Sequence, residues 1–290
     1  MSQWALNFIL KGIASLPLSL AQILGGLGGM MAYTFSSHFR GLFQENYRHA
    51  MQLHGKTTHP WKAAAASGML FIDSLWIWHN PQKALSRAHI QDWSPVTQAV
   101  QEGKGLVMLT PHLGGFEIIP RILANHFPAT ILYRPARQEW LNHLIEEQRA
   151  YPNMHFVPTN LQGVRKMVKA LQEGEAIGIL PDQVPSGGDG VWVKFFNRYA
   201  YTTPLPARLA NRNQTPVILF SAIRKSLGEG WIIKAQRLKT FSEDPYQAAT
   251  QMNEAIEAVI LEAPEQFIWS YNRYKHPEGA ELPPQDQITQ

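Results

Sequence analysis

The feature that most limits how this chain can fold is an alternation, from about residue 100 onward, of short apolar runs with helical segments. Short apolar runs bounded by glycine, proline and asparagine are typical of buried strands, and strands that alternate with helices form layered α/β domains. Strands are predicted at residues 106–109, 130–133, 155–157, 176–180, 191–196, 217–222 and 231–235, and helices at 138–149, 161–172 and 246–262. The predicted fold class is therefore α/β, with a mixed central sheet flanked by helices.

Residues 12–35 form a long stretch without formal charge. As a helix rising about 1.5 Å per residue it would be about 36 Å long, enough for a hydrocarbon core of about 30 Å. Three interpretations fit it: a cleaved signal peptide, a buried core hairpin, or a membrane anchor that spans the bilayer or lies in its interface. The anchor is favoured, because only Lys11 precedes the run and no small-residue cleavage site follows it.

Aromatic and basic residues at both ends of this stretch are typical of a lipid boundary. They are Trp4 and Phe8 on one side and Tyr33, Phe35, Arg40 and Arg48 on the other. The basic residues after the stretch outnumber Lys11, which predicts that the bulk of the chain lies on the cytoplasmic side.

The chain divides into four predicted parts. Residues 1–37 are the membrane anchor, and residues 38–99 are a helical connecting region whose clearest helix covers residues 61–78 and stops at Asn80-Pro81. Residues 100–277 are predicted to form the α/β domain, which carries the candidate catalytic segment described below. Residues 278–290 are polar and proline-bearing, and are expected to be disordered.

Composition excludes several classes of function. The net charge of +4 suits an anionic partner such as a phospholipid surface, a phosphorylated substrate or an acidic carrier protein. Basic residues are not clustered with aromatic residues, so no nucleic-acid partner is predicted. The 0 Cys remove thiolate catalysis and cysteine metal ligands, and the histidines lack metal-ligand spacing, so no metal or other cofactor is predicted.

The segment Thr110-Pro111-His112-Leu113-Gly114-Gly115-Phe116-Glu117 follows the predicted strand at residues 106–109. Open α/β sheets bind ligands at the carboxyl ends of their strands. Gly114 and Gly115 allow a tight turn with exposed backbone N–H groups, and a helix can begin at residue 116. The spacing therefore predicts that the Glu117 carboxylate returns towards the His112 imidazole.

A neutral histidine beside a carboxylate is suited to general base catalysis, because the carboxylate fixes the tautomer and stabilises the imidazolium. No serine or cysteine lies beside the pair, so the attacking hydroxyl would belong to a substrate, with direct transfer and no covalent enzyme intermediate. The backbone N–H groups near Gly114 and Gly115, or an arginine, would stabilise the oxyanion. A structural role for a single histidine at a strand end is the alternative.

These residues resemble a known family. His112 to Glu117 is similar to the His-x4-Asp/Glu motif of membrane acyltransferases, in the glycine-bearing form of the lipid A biosynthesis (lauroyl/myristoyl) acyltransferases of Gram-negative bacteria. Further blocks agree in order along nearly the whole chain: Tyr133-Arg134-Pro135, the helix ending at Arg149, Ile179-Leu180-Pro181-Asp182-Gln183, residues 190–196 with Thr202, residues 264–269, and Arg273-Tyr274-Lys275.

The resemblance implies a glycerolipid acyltransferase-like fold and a membrane-bound O-acyltransferase. His112 would be the general base and Glu117 its partner; Arg149 and Asp182 would surround the site, and Arg134 would bind phosphate or sugar. The donor would be a fatty acyl thioester on acyl carrier protein or CoA, and the acceptor a hydroxyl of a lipid A precursor. The protein would lie at the inner (cytoplasmic) membrane with its catalytic domain on the cytoplasmic side.

One departure concerns the turn after residues 195 and 196, where the family has glycine and this chain has Asn197. Asparagine tolerates the left-handed backbone such a turn needs. Acyl transfer to another glycerolipid, aminolipid or glycolipid remains an alternative, as does a non-enzymatic membrane lipid-binding protein.

Overall fold

The structure, a computed structural model, describes residues 11–136 and 138–284. Residues 11–15 are helical. The helices that follow are α1 (Leu18–Phe35), α2 (Ser37–Leu53), α3 (Pro60–His79), α4 (Pro81–Leu85), α5 (Ser94–Gln101), α6 (Ile118–Ala124), α7 (Glu139–Arg149), α8 (Leu161–Gln172), α9 (Leu205–Asn213) and α10 (Pro245–Ile260). The strands are β1 (Ala88–Ile90), β2 (Leu106–Leu109), β3 (Ala129–Tyr133), β4 (Met154–Pro158), β5 (Ala176–Ile179), β6 (Val191–Phe195), β7 (Arg198–Thr202), β8 (Val217–Arg224) and β9 (Trp231–Arg237).

A seven-stranded sheet has the order β1-β9-β8-β2-β5-β3-β4. Strands β8, β2, β5, β3 and β4 are mutually parallel, whereas β9 is antiparallel to β8 and carries β1 beside it in parallel. The predicted α/β class with a mixed central sheet flanked by helices is thereby confirmed. The β6–β7 hairpin forms a separate two-stranded sheet.

The two faces of the sheet bury two hydrophobic cores. Along β2, Val107 and Leu109 belong to one core and Leu106 and Met108 to the other, because successive side chains of a strand point to opposite faces. All four are buried. Their continuous apolar run is typical of a parallel strand covered on both faces.

Most predicted elements are confirmed within a few residues, but three elements were not predicted. Strand β1 has only three residues, mostly exposed, and lies in the region expected to be helical. Strand β7 alternates tyrosines with smaller residues, and helix α9 has Pro204 just before it and Pro206 in its first turn, so neither has the apolar run that marks the other elements. Each takes its structure from a partner: β1 pairs with β9, β7 with β6, and α9 contacts α10 and β2.

Helix α1 packs lengthwise on α3. The contact is close because glycines face each other: a Cβ at Gly29 would lie 2.1 Å from the carbonyl oxygen of Ala64, and one at Gly68 only 2.0 Å from that of Gly25. Among the described residues, α1 is the helix long and apolar enough to cross a membrane, and 39% of it is buried inside the protein. Trp4 and Phe8 of the predicted boundary lie outside the described residues.

The turn between β6 and β7 has two residues in the left-handed region, Phe196 with φ 47° and Asn197 with φ 58°. Two positive φ values in a two-residue loop define the type I′ turn, whose twist matches that of the hairpin strands. The expectation that Asn197 supports a left-handed turn is confirmed.

The predicted disorder of the tail is wrong for its first residues. The carbonyl oxygen of Glu281 accepts a hydrogen bond of 2.8 Å from the indole N–H of Trp192, and Ala280 packs against the small core around that indole. An indole N–H at a partly buried site needs an acceptor, and the tail supplies one. Residues 285–290 lie outside the described part of the chain.

Candidate active site

His112 lies at the carboxyl end of β2, between β8 on one side and β5 on the other. The chain leaves the strand through Thr110 and Pro111, and the imidazole lines a cavity at this edge of the sheet. The predicted position of His112 at the end of a buried strand is confirmed. Its side chain is mostly buried, with 16% of its surface exposed.

Asp182 is the hydrogen-bond partner of His112. It follows β5, the parallel neighbour of β2, so both residues reach the same edge of the sheet. Its Oδ1 lies 2.8 Å from the imidazole Nδ1, and its Oδ2 accepts the backbone N–H of His112 at 2.8 Å. Because an ionised carboxylate only accepts hydrogen bonds, the proton of the neutral imidazole lies on Nδ1 and the lone pair on Nε2.

The lone pair of His112 meets Gln183. The Nε2 atoms of the two side chains are 3.3 Å apart, a distance that fits an amide N–H donating to the unprotonated ring nitrogen. The ring of Phe116 packs against the imidazole with a centroid distance of 4.8 Å. The imidazole is thus fixed in tautomer by Asp182 and in position by three side chains.

The prediction that the Glu117 carboxylate holds the imidazole is wrong in its geometry. Glu117 Oε1 accepts from Arg149 Nη2 at 2.5 Å, and Oε2 accepts from the indole N–H of Trp78 at 2.9 Å. Arg121, four residues later, places Nη1 3.9 Å from Oε2. Glu117 immediately precedes α6, and its side chain points towards α3 and α7. The carboxylate at Nδ1 of His112 is that of Asp182. A catalytic role for Glu117 stays a prediction.

Glu117 carries a fixed negative charge. Its burial alone would raise its pKa, but the charges of Arg149 and Arg121 and the hydrogen bonds from Trp78 and Arg149 outweigh burial, so the pKa is lowered from 4.5. Burial lowers the pKa of Arg121 to about 10, which still leaves that guanidinium charged at neutral pH. An ionised carboxylate and two guanidiniums therefore stand beside the cavity.

The glycine turn has a different role from the one predicted. The N–H of Gly114 donates to the carbonyl oxygen of Gln266 at 3.1 Å, and that of Gly115 to Ala222 at 2.9 Å, so neither is free for an oxyanion. Gly114 has φ 56°, and a Cβ there would lie 2.1 Å from the Ala222 oxygen; a Cβ at Gly115 would lie 2.2 Å from the indole nitrogen of Trp231. The glycines allow the segment that carries His112 to pack directly on β8, β9 and the residues around Gln266.

The cavity beside His112 has a volume of about 650 Å³, within the range of roughly 300–1,000 Å³ typical of ligand sites. His112, Glu117, Arg149 and Gln183 form a polar group in its wall. Apolar side chains form much of the remainder: Phe116, Pro120, Ile131, Leu132, Ile145, Phe156, Leu161, Val164, Ile179, Leu180, Val184 and Leu205. The cavity is suited to a ligand with a long apolar part and a polar reacting end.

Among the residues that the structure describes, three arginines line the cavity. Arg134 follows β3 and is exposed, as is Arg208 on α9. Arg149 is half-buried, with its guanidinium 5.0 Å from the ring centroid of Trp78 and 5.6 Å from that of Phe156. Arg149 is therefore an ion-paired, stacked side chain and differs from an ordinary solvated helix end.

Sequence reasoning missed Trp78, Arg121, Gln183 and Arg208. Arg121 had a detectable signal, since a residue four positions after Glu117 on a helix lies on the same face. Gln183 adjoins Asp182, but nothing in the sequence shows its contact with His112. Trp78 and Arg208 reach the site from distant elements, so only the fold reveals them.

Within residues 11–136 and 138–284, no group of three or more histidine, cysteine, aspartate or glutamate side chains is arranged to hold a metal ion. The polar groups of the site are instead bound to one another by the hydrogen bonds and ion pairs described above.

Comparison with known proteins gives a consistent result. Residues 1–276 match the family model described as bacterial lipid A biosynthesis acyltransferase. The chain is 29% identical over 194 residues to a lipid A biosynthesis acyltransferase of Haemophilus influenzae, covering 63% of this chain and 60% of that protein. It is 23% identical over 266 residues to the lipid A biosynthesis palmitoleoyltransferase of Escherichia coli, covering 90% and 86%. It is 25% identical over 217 residues to the lipid A biosynthesis lauroyltransferase of Escherichia coli, covering 73% and 70%.

Proposed function

The chain belongs to the bacterial lipid A biosynthesis acyltransferase family, and on that premise we propose that it transfers a fatty acyl chain from a thioester to a hydroxyl of a lipid A precursor. The observation that carries the proposed mechanism is the state of His112. Asp182 holds the proton on Nδ1, which leaves the Nε2 lone pair at the cavity edge. Among the described residues, no serine or threonine hydroxyl is hydrogen-bonded to that lone pair, so the nucleophile comes from the substrate.

The proposed reaction has two proton transfers. The acceptor hydroxyl displaces the Gln183 amide from Nε2 and attacks the thioester carbonyl carbon while its proton moves to Nε2. The tetrahedral intermediate then collapses, the carbon–sulfur bond breaks, and the imidazolium returns the proton to the departing thiolate. Asp182 stabilises the imidazolium, as the carboxylate does in catalytic triads. The products are an ester on the lipid and a free thiol.

The Gln183 amide is the proposed oxyanion donor. The backbone N–H groups of Gly114 and Gly115 are already bonded, and the amide released from Nε2 is next to the reacting carbonyl. Removal of one such donor typically lowers kcat by about 10²–10³. The ionised Glu117 lines the same cavity, and its negative charge favours formation of the imidazolium.

Different parts of the cavity wall suit different parts of the substrates. The apolar wall suits the acyl chain, and Arg134 and Arg208 suit a phosphate, because a guanidinium binds phosphate through two parallel hydrogen bonds. Acyl carrier protein and CoA both carry phosphate on the arm that ends in the thioester, and both are cytoplasmic donors. The proposed location is therefore the cytoplasmic face of the inner membrane.

The central test is an in vitro assay with the purified protein, acyl carrier protein or CoA thioesters, and a lipid A precursor. His112→Ala is expected to lower the rate of acyl transfer by a factor of at least about 10³, because the group that accepts and returns the proton is removed. His89→Ala is the matched control, since His89 is exposed on the edge strand β1, which β9 and β8 separate from β2. Near-normal activity of His112→Ala would refute the mechanism.

The products identify the acceptor. Mass spectrometry of lipids from cells that lack or overproduce the protein is expected to show a mass change of one acyl group in lipid A species. A change confined to glycerolipids or aminolipids would contradict lipid A as the acceptor while leaving acyl transfer intact.

The arginines at the cavity provide a second test of substrate binding. Arg208→Ala is expected to raise KM by about tenfold with little change in kcat, because a phosphate contact remote from the reacting atoms contributes to binding. Arg212→Ala is the matched control, since Arg212 is exposed on the same helix but does not line the cavity. Equal kinetics of the two variants would contradict the assignment of Arg208.

A further inference from the structure

The outer face of α1 is an unusual surface for a protein in water. Large apolar side chains at helical spacing are exposed there, between 42% and 60% for most of them and 81% at the carboxyl end. They are Leu20, Ile23, Leu24, Leu27, Met31 and Phe35, and the neighbouring helix α3 adds exposed Trp61 and Phe71. We call these eight residues the apolar face. A contiguous apolar surface of this kind marks an interaction site.

The opposite side of α1 packs against the rest of the protein. Gln22 is buried; its amide donates to Asp73 Oδ1 on α3 at 2.8 Å, and its carbonyl oxygen accepts the N–H of Gly228 at 2.8 Å. Asp73 Oδ2 in turn accepts from Arg224 Nε at 2.6 Å, and both side chains are almost fully buried. The glycine contacts with α3 extend along the same side.

This packing conflicts with a membrane-spanning α1. If α1 crossed the bilayer, α3 and the buried Asp73–Arg224 pair at the end of β8 would enter the hydrocarbon with it. Placing charged groups in the hydrocarbon core costs free energy, and the folds that span it satisfy all of their backbone polar groups internally. A helix that exposes one apolar stripe and buries the other in a water-soluble fold is suited to lying in the membrane interface.

Charge identifies the kind of surface. The first 72 residues contain five basic residues, Lys11, Arg40, Arg48, Lys56 and Lys62, and one acidic residue, Glu45. Residues 73–290 contain equal numbers of acidic and basic residues, so the whole net charge of +4 belongs to the first 72. Lys62 is exposed beside Trp61, and Glu45 is paired with Arg198. Arg40, which donates to the carbonyl oxygen of Thr34 near the end of α1, and Lys62 beside Trp61 place positive charge next to the apolar face, and such charge complements anionic lipid headgroups.

We propose that the protein is monotopic: the apolar face enters one leaflet of an anionic membrane with α1 lying in the plane of the bilayer, and the chain does not cross it. Helix α3 then connects the membrane to the active site, since it carries Trp61 and Phe71 on the apolar face and Trp78 at its other end on Glu117. The proposal concerns membrane binding alone and holds whichever acyl acceptor the enzyme uses.

The topology is testable because the chain has 0 Cys. Gly12→Cys and Ser37→Cys, made separately in the full chain, place one thiol before α1 and one after it; both positions are exposed, and Gly12 has open space around it. In vesicles that expose the cytoplasmic face, a membrane-impermeant maleimide is expected to label both. Labelling of the two sites from opposite faces would overturn the proposal.

Vesicle flotation tests the apolar face itself. The wild-type protein is expected to float with phosphatidylglycerol-containing vesicles, and the bound fraction to fall on phosphatidylcholine alone. The double variant Leu24→Asp, Leu27→Asp is expected to bind the anionic vesicles at least about tenfold more weakly, because two inserted side chains are lost. Val100→Asp on α5 is the matched control, since Val100 is exposed to a similar degree (46%, against 47% and 48%) outside the face.

Two results would refute membrane insertion of this face. One is equal flotation of the double variant and the wild type. The other is a dimer in solution that the double variant converts to monomer while vesicle binding is unchanged, which would assign the face to a second copy of the chain. Because flotation and labelling require no substrate, either result is independent of the acyltransferase assay.

Discussion

Asp182 accepts two hydrogen bonds from the same residue, one from the backbone N–H of His112 and one from its ring. The two bonds together fix the orientation of the carboxylate. In Asp182→Asn, an NH₂ group replaces one of the two oxygens. If the remaining oxygen keeps the backbone N–H, the new NH₂ faces Nδ1 and donates to it. The proton of the neutral imidazole then moves to Nε2, the atom that accepts the proton of the hydroxyl in the proposed mechanism.

Asp182→Asn is therefore expected to lower kcat by roughly 10²–10⁴ while the protein stays folded, since a catalytic histidine in the wrong tautomer is inactive as a base. Nitrogen NMR of the imidazole should show the proton on Nε2. Asp189→Asn serves as the control, since Asp189 lines the cavity and has no hydrogen bond to His112. Wild-type kcat in Asp182→Asn would contradict the orienting role.

The site also contains a carboxylate whose charge depends on its neighbours. In the wild type, Arg149 and Arg121 hold the pKa of Glu117 below 4.5 against the effect of burial, so Glu117 stabilises the fold above pH 4.5 and loses that contribution as the pH falls through its lowered pKa. Arg149→Met removes the charge that lowers the pKa of Glu117 most, so burial is expected to raise that pKa. The charged form of Glu117 then becomes unfavourable in the folded state.

We expect the melting temperature of Arg149→Met, relative to the wild type, to fall as the pH rises from 5 to 8, because ionisation of a buried carboxyl with a raised pKa opposes folding. The acid limb of its pH–activity profile should move to higher pH. Thermal unfolding at several pH values checks the first expectation, and kcat/KM against pH the second. A parallel pH dependence of the two proteins would contradict the role of Arg149.

At this scale the sequence predicted His112 but assigned it the wrong carboxylate. Glu117 lies five residues away, whereas Asp182 lies seventy residues away and reaches the imidazole only because β5 is the neighbour of β2. Strand order is a property of the whole sheet, and no local spacing reveals it. The resemblance to a family had placed Asp182 near the site without giving it this contact.

At the scale of elements, the runs that bury side chains on both faces were predictable, and β2 was predicted with its observed bounds. Strand β6 was predicted, but its partner β7 and their separation from the main sheet were not, because alternating tyrosines describe a surface strand as well as a loop. The β6–β7 turn was the local feature that could be predicted from residue types. Its left-handed backbone at Asn197 also permits a prediction about stability.

Asn197→Val is expected to lower the free energy of unfolding by about 1–2 kcal/mol, since a β-branched residue clashes in the left-handed region that φ 58° requires. Asn197→Gly, which accepts this φ without strain, should stay within about 0.5 kcal/mol of the wild type. Urea unfolding of the three proteins measures the difference. Equal losses in both variants would show that the Asn197 side chain, whose Oδ1 accepts from Lys194, matters more than the backbone.

At the scale of the whole molecule, α1 belongs to the folded protein. Leu18 and Ala21 contribute to the core on one face of the sheet, and Tyr33 contributes to the core on the other. A sequence search for an apolar stretch finds such a helix but cannot distinguish an appendage from a structural layer, because both have the same composition. The difference lies in the long-range contacts of its buried side.

Deletion of residues 1–35 is expected to produce an aggregating chain, or one whose melting temperature is lower by more than about 10 °C, because it uncovers α3 and removes the hydrogen bond of Gln22 to Asp73. The double variant Leu24→Asp, Leu27→Asp retains the buried side of α1 and should melt close to the wild type. Size-exclusion chromatography and thermal unfolding compare them. A soluble, monomeric deletion variant with the wild-type melting temperature would establish α1 as a detachable anchor.

The glycine turn that carries His112 is closed by residues near the carboxyl terminus: Gly114 donates to Gln266, and the carbonyl oxygen of His112 accepts from Ile268. During synthesis, α1 and α3 are complete once residue 79 has left the ribosome, while the partners of the turn emerge among the last residues of the chain. The nascent protein therefore exposes its apolar face long before the proposed base, His112, is held in position. If the proposed membrane binding and mechanism hold, the chain can reach the membrane before it can catalyse transfer, and a chain terminated before residue 266 is expected to bind the bilayer as an inactive protein.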